Sequence, residues 1–153
     1  MSISTRLSEL GLTLPDVVPP VAAYVPAVRH GETVMTSGQL PMVDGALPLT
    51  GKVGAAVSAE QAEEMAGVCA LNAIAAAATL MGDVDKLTGV IKVVGFVSSD
   101  PAFTAQPGVI NGASNLLQEV FGEAGVHARS AVGVAALPLD APVEVEVIFA
   151  VTG

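Results

Sequence analysis

The stretch Val126–Val151, VHARSAVGVAALPLDAPVEVEVIFAV, constrains the fold more than any other part of the chain. Its second half sets Val143, Val145, Val147, Phe149 and Val151 on one side and Glu144, Glu146 and Ile148 on the other. Alternation with β-branched residues is the pattern of a strand with one face on a core. The first half reads as another strand, in which Arg129 is followed at the same parity by Ala131, Gly133 and Ala135. The Pro-bounded segment Leu137–Pro142 between them predicts a turn, and so a hairpin. That hairpin would set Arg129 near Glu144 and Glu146. Two uses of such an arrangement are open: a cross-strand ion pair, or an anion-binding pocket with a placed water. From spacing alone the ion pair is the stronger reading.

The rest of the chain reads as scaffold for this stretch. Residues 3–11 place Leu7 and Leu10 at helical spacing, with Gly11 as a stop. Pro15, Pro19 and Pro20 impose an extended connector. Tyr24–Val28 and Glu32–Ser37 read as strands around a turn at Arg29–Gly31. Gln39–Gly51, with Asp44–Gly45, reads as a second turn region, giving a meander of two or three strands. Ser58 and Gln61 form a capping box before an Ala-rich helix that runs to about Leu80 and stops at Gly82. Leu87–Ser98 is an apolar run fit for a strand buried on both faces, and Ser99-Asp100-Pro101 breaks it. Val109–Phe121 reads as a second long helix with Leu116, Leu117, Val120 and Phe121 on its core side. The expected fold class is therefore an α/β layer of the α+β kind, with two long helices on one face of a mixed sheet. Residues 1–153 form a single domain in this reading.

Composition narrows the function. Over half of the residues are hydrophobic (52%), only 14% are charged, and mean hydropathy is +0.65. Apolar surface of that extent is best hidden between subunits, which predicts a homo-oligomer covering the free sheet face. A net charge of −9, with six Lys plus Arg, disfavours nucleic acid and anionic membrane surfaces as partners. The segment Met65–Gly82 looks superficially like a membrane span, but its Ala content, with Asn72 and Thr79, predicts a buried helix. Cys69, a lone cysteine in that helix, reads as a small buried thiol. With no signal-peptide pattern at the N-terminus, the expected location is cytoplasmic.

Few residues can carry chemistry. His30, His127 and Cys69 do not form a metal-ligand cluster, so neither a metal nor a cofactor is expected. No nucleophile elbow is present. Gly45–Lys52 is one residue too long for a phosphate-binding loop, and Val53 stands where a magnesium-coordinating hydroxyl belongs. Arg129 cannot serve as a general base, but its planar fork can hold a carboxylate or phosphate through two hydrogen bonds. His127 shares its strand parity and could face a cleft, though a surface position is the simpler reading.

Several segments are similar to the Rid/YjgF family, the reactive-intermediate (enamine/imine) deaminases also described as endoribonuclease L-PSP-like proteins. They are Tyr24-Val25, Val34 to Pro41 (VMTSGQLP), Gly95-Phe96-Val97, Asn111, Ala128-Arg129-Ser130, and Leu137-Pro138 leading into Val143–Glu146. They occur in the family's order across residues 18–151. The resemblance implies a chorismate-mutase-like fold, assembled as a homotrimer around a central β-barrel with sites in the clefts between subunits. It implies that Arg129 clamps a substrate carboxylate and Glu144 helps place the attacking water. Tyr24, Ser37, Gly38, Asn111 and Ala131 would line the pocket. The implied reaction is hydrolysis of 2-enamino or 2-imino acids to 2-keto acids and ammonia, with no cofactor.

Three departures stand out: Ala131 where many active members have cysteine, an extension over residues 1–17 typical of a longer subgroup, and a long Asp100–Asn111 segment. Ala131 and the extension favour a second reading, a trimer that binds a small carboxylate or keto acid without turnover. The third, an endoribonuclease, is opposed by the charge balance and the missing base.

Overall fold

The structure, a computed structural model, describes all 153 residues. The helices are α1 (Ile3–Glu9), α2 (Ala59–Met81) and α3 (Gln106–Phe121); the strands are β1 (Ala27–His30), β2 (Thr33–Thr36), β3 (Leu87–Ser98), β4 (Ala128–Val134) and β5 (Val143–Val151). All five strands form one mixed sheet in the order β1-β2-β5-β3-β4. Only β3 and β4 run parallel, with α3 as the crossover between them.

The capping box at α2 is formed as the sequence requires: Ser58 Oγ accepts from Gln61 N at 3.1 Å, and Gln61 Oε1 accepts from Ser58 N at 2.9 Å. Gly82 closes the helix in the left-handed region, φ 72°. An 18-residue window of α2 reaches mean hydropathy 1.5, enough by length and composition to cross a membrane. In the fold, Ala62, Ala66, Cys69, Ala70, Ala73 and Ile74 of this helix are buried in the core. The α2–α3 crossing is backbone-tight. A Cβ at Gly112 would lie 1.8 Å from the carbonyl oxygen of Glu63, so only glycine permits this approach.

Helix α3 starts three residues earlier than its apolar pattern suggests, because Pro107 fits the first turn, where its missing N–H costs nothing. Its core side is Val109, Ile110, Ala113, Leu117, Val120 and Phe121, while Leu116 is only partly buried. The N-terminal extension belongs to the body of the fold. Leu7 is buried, Ser4 donates through N and Oγ to the Asp85 carboxylate at 2.7 Å each, and Arg6 Nε donates to the Glu119 carbonyl at 2.7 Å.

Strand β5 alternates as expected: Val143, Val145, Val147, Phe149 and Val151 are buried towards the helices, and the residues between them lie on the opposite face. No element of the chain covers that opposite face, where Val28, Met35 and Val132 are 48%, 38% and 45% exposed.

The expected hairpin is not formed. Strand β5 pairs with β2 and β3, while β4 pairs only with β3. Strand β3 is twelve residues long and has an unpaired edge on each side; β4 fills one as the parallel end of the crossover, and β5 fills the other. The Pro138–Asp140 turn carries the chain across the end of β3, through consecutive positive φ values at Leu139 (60°) and Asp140 (58°). It is pinned by Gly51 N to Asp140 O at 2.9 Å and Ser98 N to Pro142 O at 2.9 Å. Two further expectations shift. The first turn falls at Gly31-Glu32 rather than Arg29–Gly31, and Gln39–Gly51 adds only isolated bridges, including Gln39 with Val145.

Candidate functional site

The displaced hairpin changes the relation between the two charged residues of interest. Arg129 is in register with Val93, which pairs with the buried Val147, so Arg129 faces the helices. Glu144 is in register with Phe96 and has the opposite parity on β5. The two therefore lie on opposite faces of the sheet with β3 between them. The cross-strand ion pair does not exist; the one ion pair formed is Arg6–Glu9, at 3.3 Å.

Arg129 instead reaches α3. Its Nη1 donates to Asn111 Oδ1 at 2.8 Å and to Ser114 Oγ at 3.2 Å, and its Nη2 donates to the Pro107 carbonyl at 3.3 Å. A guanidinium has five N–H donors. Those on Nε and one on Nη2 remain without a partner in the chain, on a half-exposed side chain. The fork is thus fixed by neutral acceptors and retains its charge for an anion. Ala131 follows on the same face, partly buried against the core.

Sequence reasoning missed Ser114. Asn111 and Ser114 are three apart on α3 and so share a helix face, a spacing that would have found it. It also placed His127 on the surface. The ring is part-buried, with Nε2 2.9 Å from Ser114 Oγ and Nδ1 2.6 Å from the Gly125 carbonyl.

The remaining predicted residues gather elsewhere. Reciprocal bonds between Gln39 and Val145, 2.8 and 3.0 Å, bring the segment after β2 against β5. Gly38 consequently lies on Glu144: a Cβ there would meet Glu144 Oε2 at 2.5 Å. Ser37 Oγ donates to the Val25 carbonyl at 2.6 Å. Tyr24, Ser37 and Gly38 line a groove of about 540 Å³ whose outer wall is the Pro15–Val21 connector. Asn72 shapes its floor by donating to the carbonyls of Leu40 and Met42 at 3.0 and 3.1 Å. Burial pushes the Glu144 carboxyl above the ordinary range, and Glu146 adds like-charge repulsion. Behind β5, burial and then the Glu144 charge raise the Cys69 thiol well above its usual value, which keeps it protonated and inert.

The chain thus divides its predicted site in two: Arg129, Asn111 and Ala131 on the helix side of β4, and Tyr24, Ser37, Gly38 and Glu144 around the end of β2. An α+β domain with an open sheet face and an arginine held ready for an anion is the class these features define. The chain matches, over residues 4–151, the family described as "YjgF/chorismate mutase-like, putative endoribonuclease", and it belongs to that family. Among its relatives, Protein TCP17 of Trypanosoma cruzi is 42% identical over 147 residues, 95% of this chain and 92% of that protein. The crystal structure of Atu1372 from Agrobacterium tumefaciens, a protein of unknown function, superposes with a TM-score of 0.89 at 46% identity, covering 99% of this chain and 94% of that one. Escherichia coli TdcF, solved with bound serine, superposes with a TM-score of 0.61 at 26% identity, covering 88% and 92%.

Proposed function

We propose that the protein hydrolyses reactive 2-enamino or 2-imino acids to 2-keto acids and ammonia in a cleft between subunits of a homotrimer. The observation that carries this reading is the state of Arg129, held by three neutral acceptors with two N–H groups left over. Such a fork matches a carboxylate through two charge-assisted bonds. That TdcF holds serine, a small carboxylate-bearing molecule, is in keeping with it.

The separation of Arg129 from Glu144 supports a shared site. Burial of the apolar open face between copies would bring the Arg129 side of one subunit to the Tyr24, Ser37 and Glu144 side of the next. In that cleft the arginine fixes the carboxylate and leaves C2 of the imine exposed to water. Glu144, with its raised proton affinity, takes a proton from the attacking water as the C–O bond forms. It returns that proton to nitrogen, giving a carbinolamine, and then carries the carbinolamine hydroxyl proton to nitrogen as the C–N bond breaks and the C=O bond forms, so water and imine become keto acid and ammonia. An imine is already electrophilic, and positioning accounts for much of the rate.

The test is release of ammonia and keto acid from 2-aminoacrylate or 2-iminobutanoate generated in situ, with wild type against Arg129→Ala. Acceleration by wild type alone supports the deaminase. Equal rates with both proteins, alongside keto-acid binding by wild type, would favour a binding protein without turnover, the reading suggested by Ala131.

A further inference from the structure

With the His127 imidazole neutral, the groups behind Arg129 form a chain with one consistent arrangement of protons. Gly125 offers a carbonyl, which can only accept, and His127 Nδ1 lies 2.6 Å from it. Nδ1 therefore carries the ring proton, and in the neutral imidazole Nε2 is bare. Ser114 Oγ, 2.9 Å from Nε2, must then donate its hydrogen there. Its lone pairs are left to accept from Arg129 Nη1 at 3.2 Å. Every bond runs one way, from guanidinium to hydroxyl to imidazole to carbonyl, and bonds in such a series polarise one another.

The far end of the chain is fixed. Gly125 is buried in the 3-10 turn Gly122–Gly125, so close to α3 that a Cβ would lie 2.6 Å from the Leu117 carbonyl oxygen. Asn111 and Ser114 hold the other end from the same helix.

We propose that His127 and Ser114 are positioning residues for Arg129: the relay orients the guanidinium so that its Nε–H and free Nη2–H face the ligand carboxylate together. This rests on the reading of Arg129 as a carboxylate clamp and adds that the clamp's aim is set from the anchored carbonyl of Gly125. Neither residue touches the ligand. Loss of either loosens the fork and leaves its charge in place, so affinity and KM suffer while kcat holds.

The experiment is calorimetric titration of the full-length protein with 2-oxobutanoate, together with steady-state kinetics, for Ser114→Ala, His127→Phe, the double variant and Ser114→Thr. Each single variant should weaken binding and raise KM by about 3- to 10-fold, the worth of one hydrogen bond. The double variant should be no worse than the weaker single, because both cut the same chain. Ser114→Thr, which keeps the hydroxyl, should restore wild-type affinity. Unchanged affinity in the singles, full additivity in the double, or a fall in kcat alone would overturn the relay.

Failure of the clamp reading looks different: wild type would not bind 2-oxobutanoate, or Arg129→Ala would bind it as well. The relay is then judged without ligand, by the Arg129 Nε–H resonance in proton–nitrogen spectra. A sharp line in wild type that broadens in Ser114→Ala upholds it, and an identical line in both overturns it. The same spectrum decides the matter if His127→Phe does not fold.

Discussion

The two halves of the candidate site hold their charges in opposite ways. Arg129 is surrounded by carbonyl, amide and hydroxyl oxygens that steady its cation without neutralising it. Glu144 has no cationic partner; it is pressed against Gly38 and repelled by Glu146, so its ionised form is the costly one. One half is ready to receive an anion, and the other is ready to hold a proton. A cation that must bind needs order, whereas a carboxylate that must exchange protons with water needs its affinity for them raised. That contrast predicts that the two halves respond differently to substitution.

The largest effect is expected at Arg129. Arg129→Ala should abolish detectable keto-acid binding, a loss of at least about 100-fold for a fork–carboxylate pair, with thermal stability near wild type. Arg129→Lys should fail nearly as badly, since an ammonium cannot reproduce the planar fork. Full binding by the lysine variant would show that charge, and not geometry, is what this half supplies.

Glu144→Gln comes next and should behave in the reverse sense. Turnover should fall by about 100-fold or more while 2-oxobutanoate affinity is retained; loss of affinity with turnover intact would exchange the roles assigned to the two halves.

Gly112→Ala probes the Arg129 half through its scaffold. The added methyl must part α2 from α3, at a cost of about 1–3 kcal/mol in urea unfolding. By moving Asn111 and Ser114 it should also weaken keto-acid binding. A destabilised variant with unchanged affinity would show that α3 does not set the fork.

The smallest effect is a pH dependence of stability from the other half. Because folding raises the Glu144 carboxyl above its ordinary 4.5, the native state holds that proton more firmly than the unfolded chain does. Ionisation therefore costs stability, a penalty absent well below the ordinary 4.5 that sets in as pH rises past it and is complete above the folded value. Glu144→Gln should thus gain on wild type in urea midpoint as pH is raised past the ordinary 4.5. A gap independent of pH would mean that Glu144 is not strained.

Much of the scaffold was legible in the sequence because it is set locally. The Ser58–Gln61 capping box, the Gly82 stop and the alternation of Val143–Val151 each depend on neighbours within one element, and each forms as read. Strand pairing is not local. The short link between β4 and β5 suggested a hairpin, but the choice of partner was made by β3, which offers both edges and receives β4 in parallel after α3. That single misreading also hid the division of the site, since a hairpin would have joined Arg129 and Glu144. The likeness to the family singled out Arg129 and Asn111, which do meet, but it could not reveal Ser114 and His127 behind them. Their role depends on a helix face and a buried carbonyl that become neighbours only in three dimensions.

The central claim is that a working site takes its arginine from one subunit and its glutamate from another. Co-expression of Arg129→Ala and Glu144→Gln subunits, each inactive alone, tests it directly through the imine-hydrolysis rate of the mixed oligomers. Shared sites predict that mixing restores activity, because some clefts then pair an intact Arg129 with an intact Glu144. Mixed oligomers as inactive as either parent would contradict the account and return both residues to a single chain's site.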